Sequence, residues 1–192
     1  MYNRFCFCYN TFIPIVEEDN LITFEEMFKT DMKKDSLLSI TVDDLKLLGV
    51  KAVTLDADNT SSFDRTTTPI PGAKEWVESV KNAGIKVILL SNGKTKRAKI
   101  LADQYNIPVV GFSCKPLPFG YIRAVIKLRK KPSEICMVGD QLFTDIMGAN
   151  ILGFKSIYCK PVGKEVAQKL GFAIKRFLEK VVFWVLERRE SK

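Results

Sequence analysis

Apolar positions in this chain follow two alternating rhythms. Short continuous runs at 51–56, 86–90, 109–113, 135–138 and 155–159 are aliphatic or β-branched and end in polar residues, as strands buried on both faces do. Between them the spacing turns helical. Ala73, Trp76, Val77 and Val80 recur at i, i+3, i+4 and i+7, which predicts a helix over 72–83 that Gly84 ends. Ala98, Leu101, Ala102 and Tyr105 mark a second helix, ahead of Pro108; 121–130 and 144–152 read as a third and a short fourth. Strands alternating with such helices need right-handed crossovers. The pattern therefore predicts an α/β fold, a doubly wound parallel five-stranded sheet with helices on both faces.

The flanks are less regular. Residues 21–34 read as a short amphipathic helix, and Thr41 with Asp44 as a capping box ahead of Leu45, with Gly49 as the stop. The division is an extension at 1–40 without an assigned role, an α/β domain at 41–163, and an amphipathic helical segment at 164–192. In that segment Ile174, Phe177, Leu178, Val181, Val182 and Val185 share one face, while Phe183 falls among Lys175, Arg176, Glu179 and Lys180. Such a helix either docks on the core or lies in a membrane interface, with Phe183 and Trp184 as apolar anchors.

Composition narrows the chemistry. The absence of histidine excludes a Ser-His-Asp triad, a histidine phosphatase and any His-ligated metal. Five cysteines without a secretion signal imply free thiols and a cytoplasmic setting, and no apolar run is long enough to span a bilayer. A net charge of +8 by itself favours acidic partners such as phosphorylated metabolites, anionic lipid or nucleic acid. No nucleic acid is expected as a partner.

The first strand runs straight into Asp56 and Asp58. Residues i and i+2 of an extended chain face one side, so the two carboxylates share a spot, where they raise each other's pKa or recruit a cation. Ligands of parallel sheets bind at the carboxyl ends of the strands. Asp56 and Asp58, then Ser91, Lys115 and Asp140, stand at the ends of strands one to four. With a phosphate monoester among them, Asp56 can attack phosphorus and Asp58 can protonate the leaving alkoxide. Asp56 and Asp140, with a main-chain carbonyl, suit an octahedral Mg²⁺, and Asp145 is placed to hold a metal-bound water. Ser91 and neighbouring amides can bind phosphoryl oxygens while Lys115 neutralises their charge.

The stretches D-A-D-N-T (56–60), S-N-G (91–93), K-P (115–116) and G-D-Q-L-F-T-D (139–145), over roughly 45–160, resemble the four motifs of the haloacid dehalogenase superfamily. More narrowly they resemble the IIIA phosphatases of the YqeG type, a branch that includes phosphatidylglycerophosphate phosphatases. The resemblance implies Asp56 as nucleophile, Asp58 as acid and base, and Ser91, Asn92 and Lys115 as phosphate binders. It implies Mg²⁺ on Asp56, Asp140 and the main chain of Asp58. Ser61-Ser62 stand where the family usually has an apolar residue, and Gly93 where a second asparagine is common. Only 32 residues separate Asp58 from Ser91, and 23 separate Ser91 from Lys115. Neither interval has room for a large inserted cap, so an open, capless site is expected.

Other patterns fail. Gly93-Lys94-Thr95 imitates the end of a P-loop, but Ile88 stands where its first glycine belongs. No cysteine is followed by the spacing of a thiol phosphatase, and a phosphate-receiver domain lacks the late G-D-x-x-x-x-D. The expectation is a Mg²⁺-dependent phosphatase of a phospholipid head group, phosphatidylglycerophosphate foremost, peripheral on the inner face of the membrane. A soluble phosphorylated metabolite or nucleotide is the alternative substrate, and a phosphate-binding scaffold without turnover the alternative class.

Overall fold

The computed structural model describes residues 22–162 and Val182. Six parallel strands form one open sheet: β1 (Met32–Lys34), β2 (Ala52–Leu55), β3 (Lys86–Leu90), β4 (Val109–Val110), β5 (Ile135–Gly139) and β6 (Lys155–Cys159), in the order β1-β6-β5-β2-β3-β4. Among the described residues the α-helices that accompany them are α1 (Phe24–Phe28), α2 (Val42–Leu47), α3 (Ala73–Asn82), α4 (Thr95–Tyr105), α5 (Pro118–Leu128) and α6 (Met147–Ile151).

Alternation along the central strands separates two cores, because successive side chains point to opposite faces. Val53, Leu55, Val87, Leu89, Cys136 and Val138 pack under α3 and α4 with Trp76, Val77, Leu101 and Tyr105. Ala52, Ile88, Leu90, Ile135 and Met137 pack under α5 and α6 with Tyr121, Leu128 and Leu152. A sheet covered on both faces is why these strands read as unbroken apolar runs.

The sheet has six strands, not five. Residues 32–34, expected to continue a helix, instead pair in parallel with β6 from Met32↔Ile157 to Lys34↔Cys159. Thr23 caps α1 with Glu26, and the helix stops at Phe28. Asp31 then binds the β6 edge, accepting from Ser156 N at 2.9 Å and pairing with Lys155 at 3.1 Å. Part of the segment placed ahead of the domain is thus integral to its sheet. The Thr41–Asp44 capping box is present, Asp44 Oδ2 accepting from Thr41 N at 2.8 Å. The strand expected over 109–113 ends after two residues, since Phe112 and Cys114 adopt left-handed φ of 48° and 56°. The last helix begins as a π-helical turn, Leu142–Ile146, before α6. Of the C-terminal segment only Val182 lies among the described residues; it is buried with Phe28, Leu142 and Ile146. The remaining positions of that segment, Phe183 and Trp184 included, lie outside them.

Candidate active site

From β2 the chain passes outward to β3 and β4, then returns past β2 to β5 and β6. The crevice beyond the carboxyl ends of β2 and β5 is therefore the switch point, where ligands of such sheets bind. Asp56 and Asp140 are the residues that immediately follow those two strands, and both are buried. Asp56 N donates to Val138 O at 2.9 Å, fixing the two strand ends together.

The π-helical turn brings in a third carboxylate. Asp145 is fully buried, and its Oδ2 accepts from Gln141 N at 3.1 Å. It lies so close to β5 that a side chain at Gly139 would overlap its carboxylate. Oxygens of Asp56, Asp140 and Asp145 lie within 4.8 Å of one another.

Lys115 balances part of this charge. Its buried Nζ lies 2.5 Å from Asp56 Oδ1, 2.7 Å from Asp145 Oδ1 and 3.0 Å from Leu90 O. Asn92 holds the loop that carries it. Asn92 Oδ1 accepts from Lys115 N at 2.6 Å and from Ser113 Oγ at 2.8 Å, and Nδ2 donates to Lys115 O at 3.0 Å. The carboxamide expected on the phosphate is thus engaged in bracing the lysine. Ser91 is buried at the end of β3, where its Oγ accepts from Gly93 N at 3.0 Å, leaving the hydroxyl hydrogen to donate.

Asp58 is turned away from this cluster. Its carboxylate makes a two-pronged contact with Arg97, both distances 2.5 Å, and Oδ1 also accepts from Arg65 N at 2.9 Å. Only its main-chain carbonyl remains for a metal. Arg97, in the first turn of α4, did not emerge from the sequence; its one signal is a place four residues beyond Gly93, off the buried Ala98–Leu101 stripe. A side chain at Gly93 would overlap the Arg97 guanidinium, which gives that glycine a physical reason. Ser61 and Ser62 also have one. Their hydroxyls donate to Asp56 O at 2.7 Å and Ala57 O at 2.9 Å, while the Tyr105 hydroxyl donates to Ser61 O. Buried hydroxyls here lock the loop after β2 where an apolar side chain would only fill space.

Burial pushes the Asp56 carboxyl up to about 7, with Lys115 opposing the shift and Asp145 adding to it. Burial works to lower the Lys115 pKa, but the charges of Asp145 and Asp56 outweigh it and hold the ammonium charged. Three buried carboxylates gather beside one lysine, and among the described residues Asp56 Oδ2 is buried without a hydrogen-bond partner. Hard oxygen donors this close fit a small divalent cation.

A family model for haloacid dehalogenase-like hydrolases matches residues 16–153. The chain belongs to that family. It is 33% identical to the probable phosphatase YqeG of Bacillus subtilis over 88% of this chain and 95% of that protein. It is 28% identical to the mitochondrial phosphatidylglycerophosphatase GEP4 of Saccharomyces cerevisiae, over 78% of this chain and 90% of that protein. A solved Listeria monocytogenes structure shares the fold at a TM-score of 0.50 and 21% identity, covering 63% of this chain and 86% of that one. The enzyme is a phosphatase. Among the described residues no helix is long and apolar enough to cross a membrane.

Proposed function

We propose that this phosphatase hydrolyses phosphomonoesters through an aspartyl-phosphate on Asp56, depends on Mg²⁺, and acts on phosphatidylglycerophosphate. The observation that carries the chemistry is the buried cluster of Asp56 and Lys115 at the switch point, with Asp58 beside it on Arg97. Asp56 attacks phosphorus in line with the ester oxygen; the P–O bond breaks, and Asp58 gives its proton to the departing alkoxide. Asp58 then takes a proton from water as that water attacks the phosphoaspartate, releasing inorganic phosphate and regenerating Asp56. Lys115 and Ser91 hold the phosphoryl oxygens and stabilise their charge. Asp56, Asp140 and the main chain of Asp58 would hold Mg²⁺, with Asp145 beside them; when bound, it supplies charge neutralisation at the phosphoryl group. Because Arg97 occupies both Asp58 oxygens, the clamp must open at one of them before Asp58 reaches the leaving group.

Two features support the lipid substrate. The resemblance to GEP4 extends over most of both chains. Among the described residues only a loop, α3 and β3, then α4 and β4, lie between the motifs, so no cap is inserted there and a bulky diacyl remainder meets no inserted lid. The test is a phosphate-release screen with Mg²⁺, comparing phosphatidylglycerophosphate in mixed micelles with soluble sugar, nucleotide and glycerol phosphates. The lipid should give the highest kcat/KM. A soluble monoester ahead of it would replace the substrate assignment, and no release from any ester, aryl phosphate included, would leave only a binding scaffold.

A further inference from the structure

Several large apolar side chains that remain most exposed gather on one structural unit. Phe112 (66% exposed) and Leu117 (53%) lie on either side of Lys115 in the loop after β4, and Phe119 (64%) lies in the first turn of α5. Ile126 (66%) follows two turns along the same helix. α5 buries Gly120, Tyr121, Ala124, Val125 and Leu128. At 3.6 residues per turn, Phe119, Arg123 and Ile126 share the opposite, outward face, while Ile122 at its border packs against the core. A helix resting on a soluble domain would place polar residues there.

The main chain that carries the two phenyl groups is tied down. Phe112 sits at φ 48°, a region bulky residues disfavour. Its amide donates to Gly93 O at 3.2 Å, and its carbonyl accepts from Arg123 Nη2 at 2.8 Å. Arg123 Nε also donates to Phe119 O at 3.4 Å, so one guanidinium ties both segments together. Charge adds direction. No acidic residue occurs between Asp103 and Glu134, while Arg123, Lys127, Arg129, Lys130 and Lys131 all do. An apolar stripe on a segment whose charged residues are all cations matches the headgroup–acyl boundary of an anionic bilayer. A nucleic acid would use the aromatic rings but not the exposed aliphatic Leu117 and Ile126.

We propose that this face of α5 and its preceding loop docks on an anionic lipid bilayer. Phe112, Leu117 and Phe119 enter the acyl boundary while the basic side chains meet lipid phosphates. Docking there sets the mouth of the Asp56–Lys115 cluster at headgroup level, which makes functional sense on the lipid-substrate reading above. The test is flotation of the full chain with phosphatidylcholine vesicles, with and without phosphatidylglycerol, at low and high salt. Wild type should float with the anionic vesicles only, and less so in high salt. The triple variant Phe112→Asn, Phe119→Gln, Ile126→Gln should lose about tenfold or more of its partitioning. Asn suits the left-handed φ and Gln suits a helix, so melting and hydrolysis of a soluble aryl phosphate should be unchanged. Lys130→Glu with Lys131→Glu should weaken binding independently. The proposal is overturned if wild type ignores anionic vesicles, if the folded triple variant floats like wild type, or if the face captures an RNA oligonucleotide in preference to vesicles. Vesicle binding without release of phosphate from phosphatidylglycerophosphate would keep the docking face and remove the lipid substrate. Release in micelles without vesicle binding would do the reverse.

Discussion

Lys115→Met keeps the length of the side chain and removes the ammonium that pairs with Asp56 and Asp145. Asp56 and Asp145, now 2.5 Å and 2.7 Å from Lys115 Nζ, would then face Asp140 with no ammonium between them. Breaking a buried ion pair by removing one partner costs about 3–5 kcal/mol. The lower end is expected, because Asp56, already raised to about 7 by burial, can take up a proton. At about 2–4 °C per kcal/mol for a chain of this size, the variant should melt roughly 6–12 °C below wild type in EDTA. The sign with pH follows from linkage. A carboxyl whose folded pKa is raised binds its proton more tightly when folded, so the stability it lends is full below its unfolded pKa of about 4 and is lost as pH rises through about 7. Without the lowering influence of Lys115 the Asp56 carboxyl rises further, so the variant keeps a proton that wild type releases. The gap between them should therefore widen from pH 5 to pH 8, and Mg²⁺ should narrow it. Thermal melts at both pH values, with EDTA and with Mg²⁺, measure this directly. A loss below about 1 kcal/mol at pH 8, or a gap independent of pH, would refute the idea that Lys115 counters buried like charge.

Arg97→Ala should lower turnover of an alkyl phosphate about tenfold or more and of a nitrophenyl phosphate much less, with partial recovery in Arg97→Lys, because Asp58 matters most to poor leaving groups. Equal losses on both esters would remove Arg97 from the proton transfer. Asp44→Asn should destabilise by about 1 kcal/mol after solvent screening, because the hydrogen bond from Lys34 and that from the Thr41 amide hold Asp44 at about 2. That contribution is present above the unfolded pKa and disappears as pH falls through about 2, so the difference between wild type and variant in urea titrations should be present at pH 7 and shrink towards pH 2. EDTA should abolish phosphate release, Mg²⁺ restore it, and Ca²⁺ restore it poorly, since its looser coordination sphere does not hold a near-octahedral geometry. Full activity in EDTA would remove the metal.

The core of the fold was legible because the central strands are buried on both faces and alternate with helices of one-sided pattern. β1 was not. Met32–Lys34 is a three-residue edge strand whose identity comes from Asp31 and the β6 edge, not from its own side chains. The site was legible where one residue type at a strand end has one use, as with Asp56, Asp140 and Lys115. Partnerships across elements were hidden. Nothing local to Asn92 announces that it holds the Lys115 loop, nor does any spacing pair Asp58 with an arginine on the next helix. Ser61 and Ser62 read as unexplained polarity until their hydroxyls are seen on the main chain of Asp56 and Ala57.

On the proposed mechanism Asp56 carries the phosphoryl group during turnover. Wild-type enzyme mixed with a ³²P-labelled phosphomonoester and quenched in acid within one turnover should retain label on protein. That label should be released by hydroxylamine, as an acyl phosphate is, and should map to the peptide that contains Asp56. Asp56→Asn should retain none and lose several orders of magnitude in phosphate release. Label on a different residue, or phosphate release from Asp56→Asn at more than a few per cent of wild type, would contradict the covalent mechanism.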